Sequence, residues 1–240
     1  MATYFRNFPQ IDYSFGNNEP LVKFQNLTAY VDVIDRLRDD ISFYRKYYIL
    51  EGDRPDQVSH KLYGSTDFYW TFYLLNDNLR LQGWPLTERE LKLLAQETFP
   101  NTVLTTADDL TGVFKVGQTV RGSTSGTSGT IVHRNLDLGQ IHVSGNLTFN
   151  NTEVITSQVG EEVQSVTLTG AIDEVNAIRY YIDGDENHAD IDPRTQDPGQ
   201  LTPVTNIEAY RQSNDDLKAI TIIRPDVIRD VVRDFEEALS

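Results

Sequence analysis

The chain has 240 residues, 39% of them hydrophobic, and a formal net charge of −15. That length fits one large domain or two to three small ones, and the acidic balance without Lys/Arg clusters argues against a nucleic-acid backbone or an anionic membrane as partner. With no cysteine, disulfides, thiolate metal sites and Cys nucleophiles are excluded.

The first residues, MATYFRNFPQIDY, lack the apolar run of a signal peptide. Nothing approaches the ~20 apolar residues of a membrane span. The expectation is a chain made in a cytoplasm that stays soluble or joins an assembly. Residues 1–25 hold Tyr4, Phe5, Phe8, Tyr13, Phe15 and Phe24 among Pro9, Gly16 and Pro20, with no helical period. They read as an extended arm. Its rings either pack on the chain's own core or dock into a neighbouring subunit, and so many rings on an irregular segment are hard for a small domain to bury.

Residues 27–45 read as an amphipathic helix, with Tyr30, Ile34, Leu37, Ile41 and Tyr44 at three- and four-residue steps. Its apolar stripe packs on the domain that follows or joins a bundle with partner chains. Residues 47–50 form a short strand candidate, broken by Glu51-Gly52-Asp53. Asp53 is placed to cap a helix that has Pro55 in its first turn and Gly64 at its end. A second helix is expected from Asp67 to about Asn76. It carries Phe68, Tyr69, Trp70, Phe72, Tyr73, Leu74 and Leu75, and a helix apolar nearly all round must be buried or form an interface. Thr87-Glu88-Arg89-Glu90 is a capping box that starts another helix, ending before Pro100.

From residue 101 the composition shifts to Gly and Thr, with only Phe114 and Phe149 as aromatics up to residue 175. Short alternating stretches (114–121, 130–134, 140–143, 153–157, 163–168) separated by Gly/Ser/Thr turns predict a small all-β barrel or sandwich. FKVGQTVRG from Phe114 and FNNTEVITS from Phe149 align as a weak repeat. The run from Gly122 to Gly129 is a loop without the Gly-Lys-Ser/Thr of a phosphate-binding loop. Residues 177–182 form a strand. The acidic segment after it offers Asp183, Asp185 and Asn187 at the first odd positions of an EF-hand loop. His188 then stands where glycine is needed and Arg194 where a bidentate Glu is needed, so the segment reads as a solvated turn. AITIIR from Ala219 is a strand ended by Pro225. It is expected to pair antiparallel with residues 47–50, ahead of a helix striped by Ile228, Val231, Val232, Phe235 and Leu239.

Signs of chemistry are few. His60, His133, His142 and His188 fall in no His-Glu-x-x-His frame, and no Gly-x-Ser-x-Gly elbow occurs. His133 and His142 lie on consecutive strands without an evident carboxylate ligand. Glu161-Glu162 sits in polar surroundings, unlike a glycosidase pair across a cleft. The expectation is no enzyme, no cofactor and no metal.

Strand, Gly-Asp turn, helix, Tyr-Gly, helix, Asn-Asp is the layout of a LysM module. With FRNFPQIDY, FQNLTAYVDVID, GDRPDQVSHKLYG, FYWTFYLLND and GWPLT around it, the chain resembles the LysM-like baseplate wedge proteins of T-even-type contractile-tailed bacteriophages, the gene product fifty-three family. The resemblance covers residues 1–100 and resumes near 177–240. It implies an α+β fold with four parts. These are a docking arm (1–25), a helix plus a LysM-like βααβ core (26–100), an inserted β domain (101–176), and C-terminal strands and a helix completing the core (177–240). It also implies a virion subunit, present in several copies of a symmetric assembly, that joins neighbouring wedges around the hub by contacts with other wedge and hub-proximal proteins. The candidate interface residues are Tyr4, Phe5, Phe8, Phe68, Tyr69, Trp70 and Tyr73. The alternative is a LysM-type peptidoglycan-binding protein, using Arg54-Pro55 and Asn76-Asp77.

Overall fold

A computed structural model describes residues 10–14, 16, 20–26, 43–192, 194 and 199–239, and these residues form an α+β fold with several sheets. The expected helix over 27–45 falls outside the described residues, except for its last three positions, and so do Tyr4, Phe5 and Phe8. Two compact units are present, one from Met1–Thr87 with Asn214–Ser240 and one from Glu88–Ser213.

In the first unit, β1 (Gln10–Tyr13) and β2 (Val22–Gln25) form an antiparallel pair where the sequence suggested an arm without regular structure. Strand β3 (Tyr44–Tyr48) pairs antiparallel with β13 (Ala219–Ile223), Ala219 opposite Tyr48 and Ile223 opposite Tyr44. The expected partner strands do meet, but β3 begins upstream of residue 47. Its charged residues hid it: Arg45 and Lys46 face solvent, and Lys46 Nζ reaches across to Thr221 Oγ1 at 2.9 Å.

Helix α1 (Pro55–Tyr63) has Pro at its start. It stops at Gly64, whose φ of 72° is the left-handed conformation glycine tolerates best and whose N–H closes on His60 O at 2.9 Å. The N-cap is Arg54, not Asp53 as expected, and Gln57 Oε1 accepts from the Arg54 N–H. Asp53 is committed elsewhere: its carboxylate takes Lys61 Nζ at 2.6 Å and its carbonyl takes Trp84 Nε1 at 2.6 Å. Helix α2 (Trp70–Leu75) starts later than residue 67 because the preceding turn closes with i→i−3 bonds, Thr71 N to Phe68 O and Phe72 N to Tyr69 O. A short α3 (Asp77–Gln82), absent from the sequence reading, follows. Helix α6 (Ile228–Leu239) buries Ile228, Val231, Val232 and Phe235. The core joins Ile49, Val58, Phe72, Leu79, Ile220 and Ile222.

In the second unit, α4 (Glu88–Thr98) leads into six strands. They are β4 (Thr102–Thr106), β5 (Thr119–Gly122), β6 (Ser128–Asn135), β7 (Gln140–Val143), β8 (Val154–Val159) and β9 (Glu162–Asp173). They close a barrel in the order β4-β7-β6-β5-β8-β9, so no edge of that sheet is left open. Leu104, Phe114, Ile131, Ile141, Ile155 and Leu168 fill it. The repeat seen in sequence has a structural counterpart. Phe114 and Phe149 are both buried in the barrel. Lys115 N donates to Gln118 Oε1 at 2.8 Å, and the matching Asn150 N donates to the matching Glu153 Oε1 at 2.8 Å. Arg121 pairs with Thr156, its counterpart in the repeat, so a local two-fold axis passes through the β5–β8 ladder. A 3₁₀ turn (Glu174–Asn176) then leads to a sheet of β10 (Ile178–Ile182), β11 (His188–Ala189) and β12 (Thr202–Thr205), followed by α5 (Asn206–Asp216).

Candidate functional site

The hairpin of β1 and β2 separates its side chains by face. Ile11 lies opposite Phe24 and Tyr13 opposite Val22, while Gln10, Asp12, Lys23 and Gln25 occupy the other face. Alternation along a strand forces this division. Tyr13 and Phe24 meet edge to face at 6.5 Å. The apolar face is open, with Ile11 42%, Val22 43% and the adjoining Leu21 69% exposed. A two-stranded ribbon has no second layer of its own to cover such a face. The sequence reading counted Tyr13 and Phe24 as arm rings but missed the strands. The signal was the alternation in IDY and VKF.

Phe68, Tyr69, Trp70 and Tyr73 stand half-buried against the first unit's own core. Trp70 packs on Phe235 at 5.3 Å, Phe68 meets the edge of Tyr63 at 5.8 Å, and Tyr73 lies 6.0 Å from Trp84. Burial, and then the neighbouring Tyr69, raise the Tyr73 pKa above the usual tyrosine value. Asn76 is spent internally. Its Nδ2 donates to Phe72 O and Thr221 O, and its Oδ1 accepts from Thr221 N, each at 2.8 Å. That side chain ties α2 to β13.

The second unit holds two buried carboxylates that the sequence reading passed over. Glu153 accepts from Thr124 N and Ser125 N (2.9 Å each), Ser125 Oγ (2.7 Å) and Asn150 N (2.8 Å). Burial alone would raise its pKa; the hydrogen bonds outweigh that and bring it down to about 2. Gly122 makes room for this arrangement, since a Cβ there would stand 2.5 Å from Glu153 Oε2. Glu174 Oε1 meets His142 Nδ1 at 2.9 Å, and its Oε2 accepts from Asn101 N. His133 and His142 are cross-strand neighbours with ring centres 4.9 Å apart. Burial pushes the His142 pKa below its usual value against the pull of Glu174. No group of three His, Cys, Asp or Glu among the described residues is placed to hold a metal. The acidic segment is a hairpin tip in which Asp183 Oδ1 accepts from Asp185 N and Asn187 N. Glu161 and Glu162 lie exposed at the turn from β8 to β9.

The second unit also has a cleft of about 470 Å³ beside α4 and α5, lined in part by Gln96, Phe99, Asn146, Asp173, Asn176 and Arg211. Arg211 Nη2 is held by Glu88 Oε1 at 2.6 Å, with Lys92 Nζ 3.4 Å from the same oxygen.

The open apolar hairpin and the half-buried rings both belong to the first unit. Residues 3–90, somewhat over a third of the chain, are similar to the family described as base plate wedge protein 53. No curated protein matches the chain. No helix among the described residues is long and apolar enough to cross a membrane.

Proposed function

We propose that the chain is a structural subunit of a contractile-tail baseplate that joins neighbouring wedges around the hub, works without catalysis and is present in several symmetric copies. The observation that carries this reading is the open apolar face of the β1–β2 hairpin, within the segment that matches the wedge family. Interface energy concentrates in a few apolar and aromatic anchors, and a stable contact buries roughly 1,000 Å² or more. The hairpin face, with Tyr4, Phe5 and Phe8 ahead of it, supplies such anchors. The outward parts of Phe68, Tyr69, Trp70 and Tyr73 extend the contact.

In this reading the first unit is a LysM-like core. Its β3–α1–α2–β13 order fits that layout, and the barrel unit is an insertion into it. The fold would then serve as a scaffold for assembly. Peptidoglycan recognition through Asn76 is disfavoured, because that side chain is already saturated by Phe72 and Thr221.

Co-expression with the other wedge proteins and affinity purification test the proposal. Ile11→Asp with Val22→Asp should lower recovery of wedge partners at least tenfold and leave the isolated protein's melting temperature unchanged. Phe5→Ala with Phe8→Ala should act in the same direction. Full recovery with both pairs substituted, or pelleting of the wild-type chain with purified murein in place of wedge proteins, would overturn it.

A further inference from the structure

We infer that the cleft beside α4 and α5 is a binding site for a neutral short oligosaccharide. Its volume of about 470 Å³ falls within the roughly 300–1,000 Å³ of small-molecule sites. The lining comes from separate places in the unit: Gln96 on α4, Phe99 just after it, Asn146 between β7 and β8, Asp173 at the end of β9, Asn176 in the 3₁₀ turn and Arg211 on α5.

The chemistry of that lining selects the ligand. Each primary amide presents a donor and an acceptor side by side, which matches a hydroxyl that must both give and receive a proton. The amides of Gln96, Asn146 and Asn176 have no hydrogen-bond partner among the described residues, so they are available to a ligand. Asp173 adds an acceptor and Arg211 a planar donor, both suited to pairs of adjacent hydroxyls. Phe99, half-buried and braced edge-on by Tyr210 at 5.3 Å, offers apolar surface for the C–H face of a sugar ring.

Charge decides against an anion. Arg211 and Lys92 are both engaged by Glu88, and Asp173 sits on the lining, so two positive and two negative charges cancel. Hydrogen bonding between Arg211 and Glu88 raises the pKa of the first and lowers that of the second, which keeps both charged over the working range. A phosphate or sialic-acid carboxylate would find no uncommitted cation here. The inference is independent of the wedge-joining reading, because residues 3–90 leave this cleft outside the family match.

The full chain, labelled with ¹⁵N, would be titrated by NMR with maltotriose, cellotriose and chitotriose up to about 10 mM, a range that captures Kd values near 1 mM. The expected result is saturable shifts for at least one of them, centred on the side-chain amides of Gln96, Asn146 and Asn176. Asn146→Ala with Asn176→Ala, two exposed positions, should weaken that binding about tenfold or more and leave the melting temperature in place. Absence of saturable shifts with all three sugars would overturn the inference. So would unchanged binding by the double variant, which would move the sugar elsewhere, for example to the first unit. Loss of a wedge protein from the double variant, without sugar binding by the wild type, would make the cleft a protein contact instead.

Discussion

Replacing Glu153 by Gln isolates the charge that holds the β5–β6 loop. The carboxylate receives four hydrogen bonds, three of them from backbone N–H groups of Thr124, Ser125 and Asn150. Its pKa falls from 4.5 to about 2 on folding. At 1.36 kcal/mol per tenfold change in proton affinity, this corresponds to about 3 kcal/mol of stability at neutral pH. Glutamine keeps the shape but turns one acceptor into a donor that faces donors, so Glu153→Gln should lose most of that amount. A depressed folded-state pKa means that the contribution is complete above about 4.5 and disappears as pH falls towards 2. The variant should therefore lack the wild type's acid loss in that window. Both tryptophans, Trp70 and Trp84, belong to the first unit, so fluorescence would miss the effect. Calorimetry of the full chain, with amide exchange read at Thr124 and Ser125, reports on the barrel directly. Gly122→Ala provides an independent approach, since its Cβ would crowd the same carboxylate. A Gln variant within ~0.5 kcal/mol of wild type, with the same acid profile, would refute the reasoning; surface substitutions typically fall within that margin.

Asn76→Ala should cost about 2–4 kcal/mol in chemical denaturation, because it strands both the N–H and the carbonyl of Thr221 in a partly buried setting, while Phe72 O keeps the backbone N–H of residue 76. Burial lowers the His142 pKa below 6.5. The unfolded chain therefore binds the proton first as pH drops from 6.5, and stability falls there. His142→Gln should flatten this slope between pH 7 and 5, well above the Glu153 window, as followed by melting temperature. Trp84→Phe removes the bond from Nε1 to Asp53 O and should lower stability by about 1 kcal/mol, measured by urea titration.

The legible parts of this fold are those where local chemistry and tertiary packing agree. Pro55 and Gly64 bracket α1 because a fixed φ and a left-handed φ are each needed only at a helix end. The spacing of β strands announced a barrel because Gly and Thr turns leave little else to build. What stayed hidden depends on contacts distant in sequence. Asp53 looks like a cap until Lys61 and Trp84 claim it. Strand β3 reads as polar, since one of its faces is solvated. Strand β4, TVLTT, had no alternation to reveal it, because its residues are almost all buried. Glu174 could not be matched to His142 from sequence, as their meeting requires the barrel to close first. For the surface, the rings of the half-buried cluster were visible as a group. Only the hairpin register showed that Ile11 and Val22 share a face.

The pairing of β3 with β13 has a consequence for how the protein is made. The strands are separated by most of the chain, Tyr48 standing opposite Ala219. At about 5–20 residues per second, a ribosome needs roughly ten to thirty seconds to travel from one to the other. During that interval β3, α1 and α2 have emerged without the strand that completes their sheet. The barrel, drawn from one continuous stretch, has every strand it needs before β13 exists. Synthesis therefore imposes an order: the later-encoded barrel finishes first, and the first unit, which carries most of the segment similar to the wedge family, closes only when the last strand leaves the ribosome. Truncation between Asp173 and Ala219 would leave every barrel strand present while β3 lacks its partner, an open sheet edge exposed to misassembly.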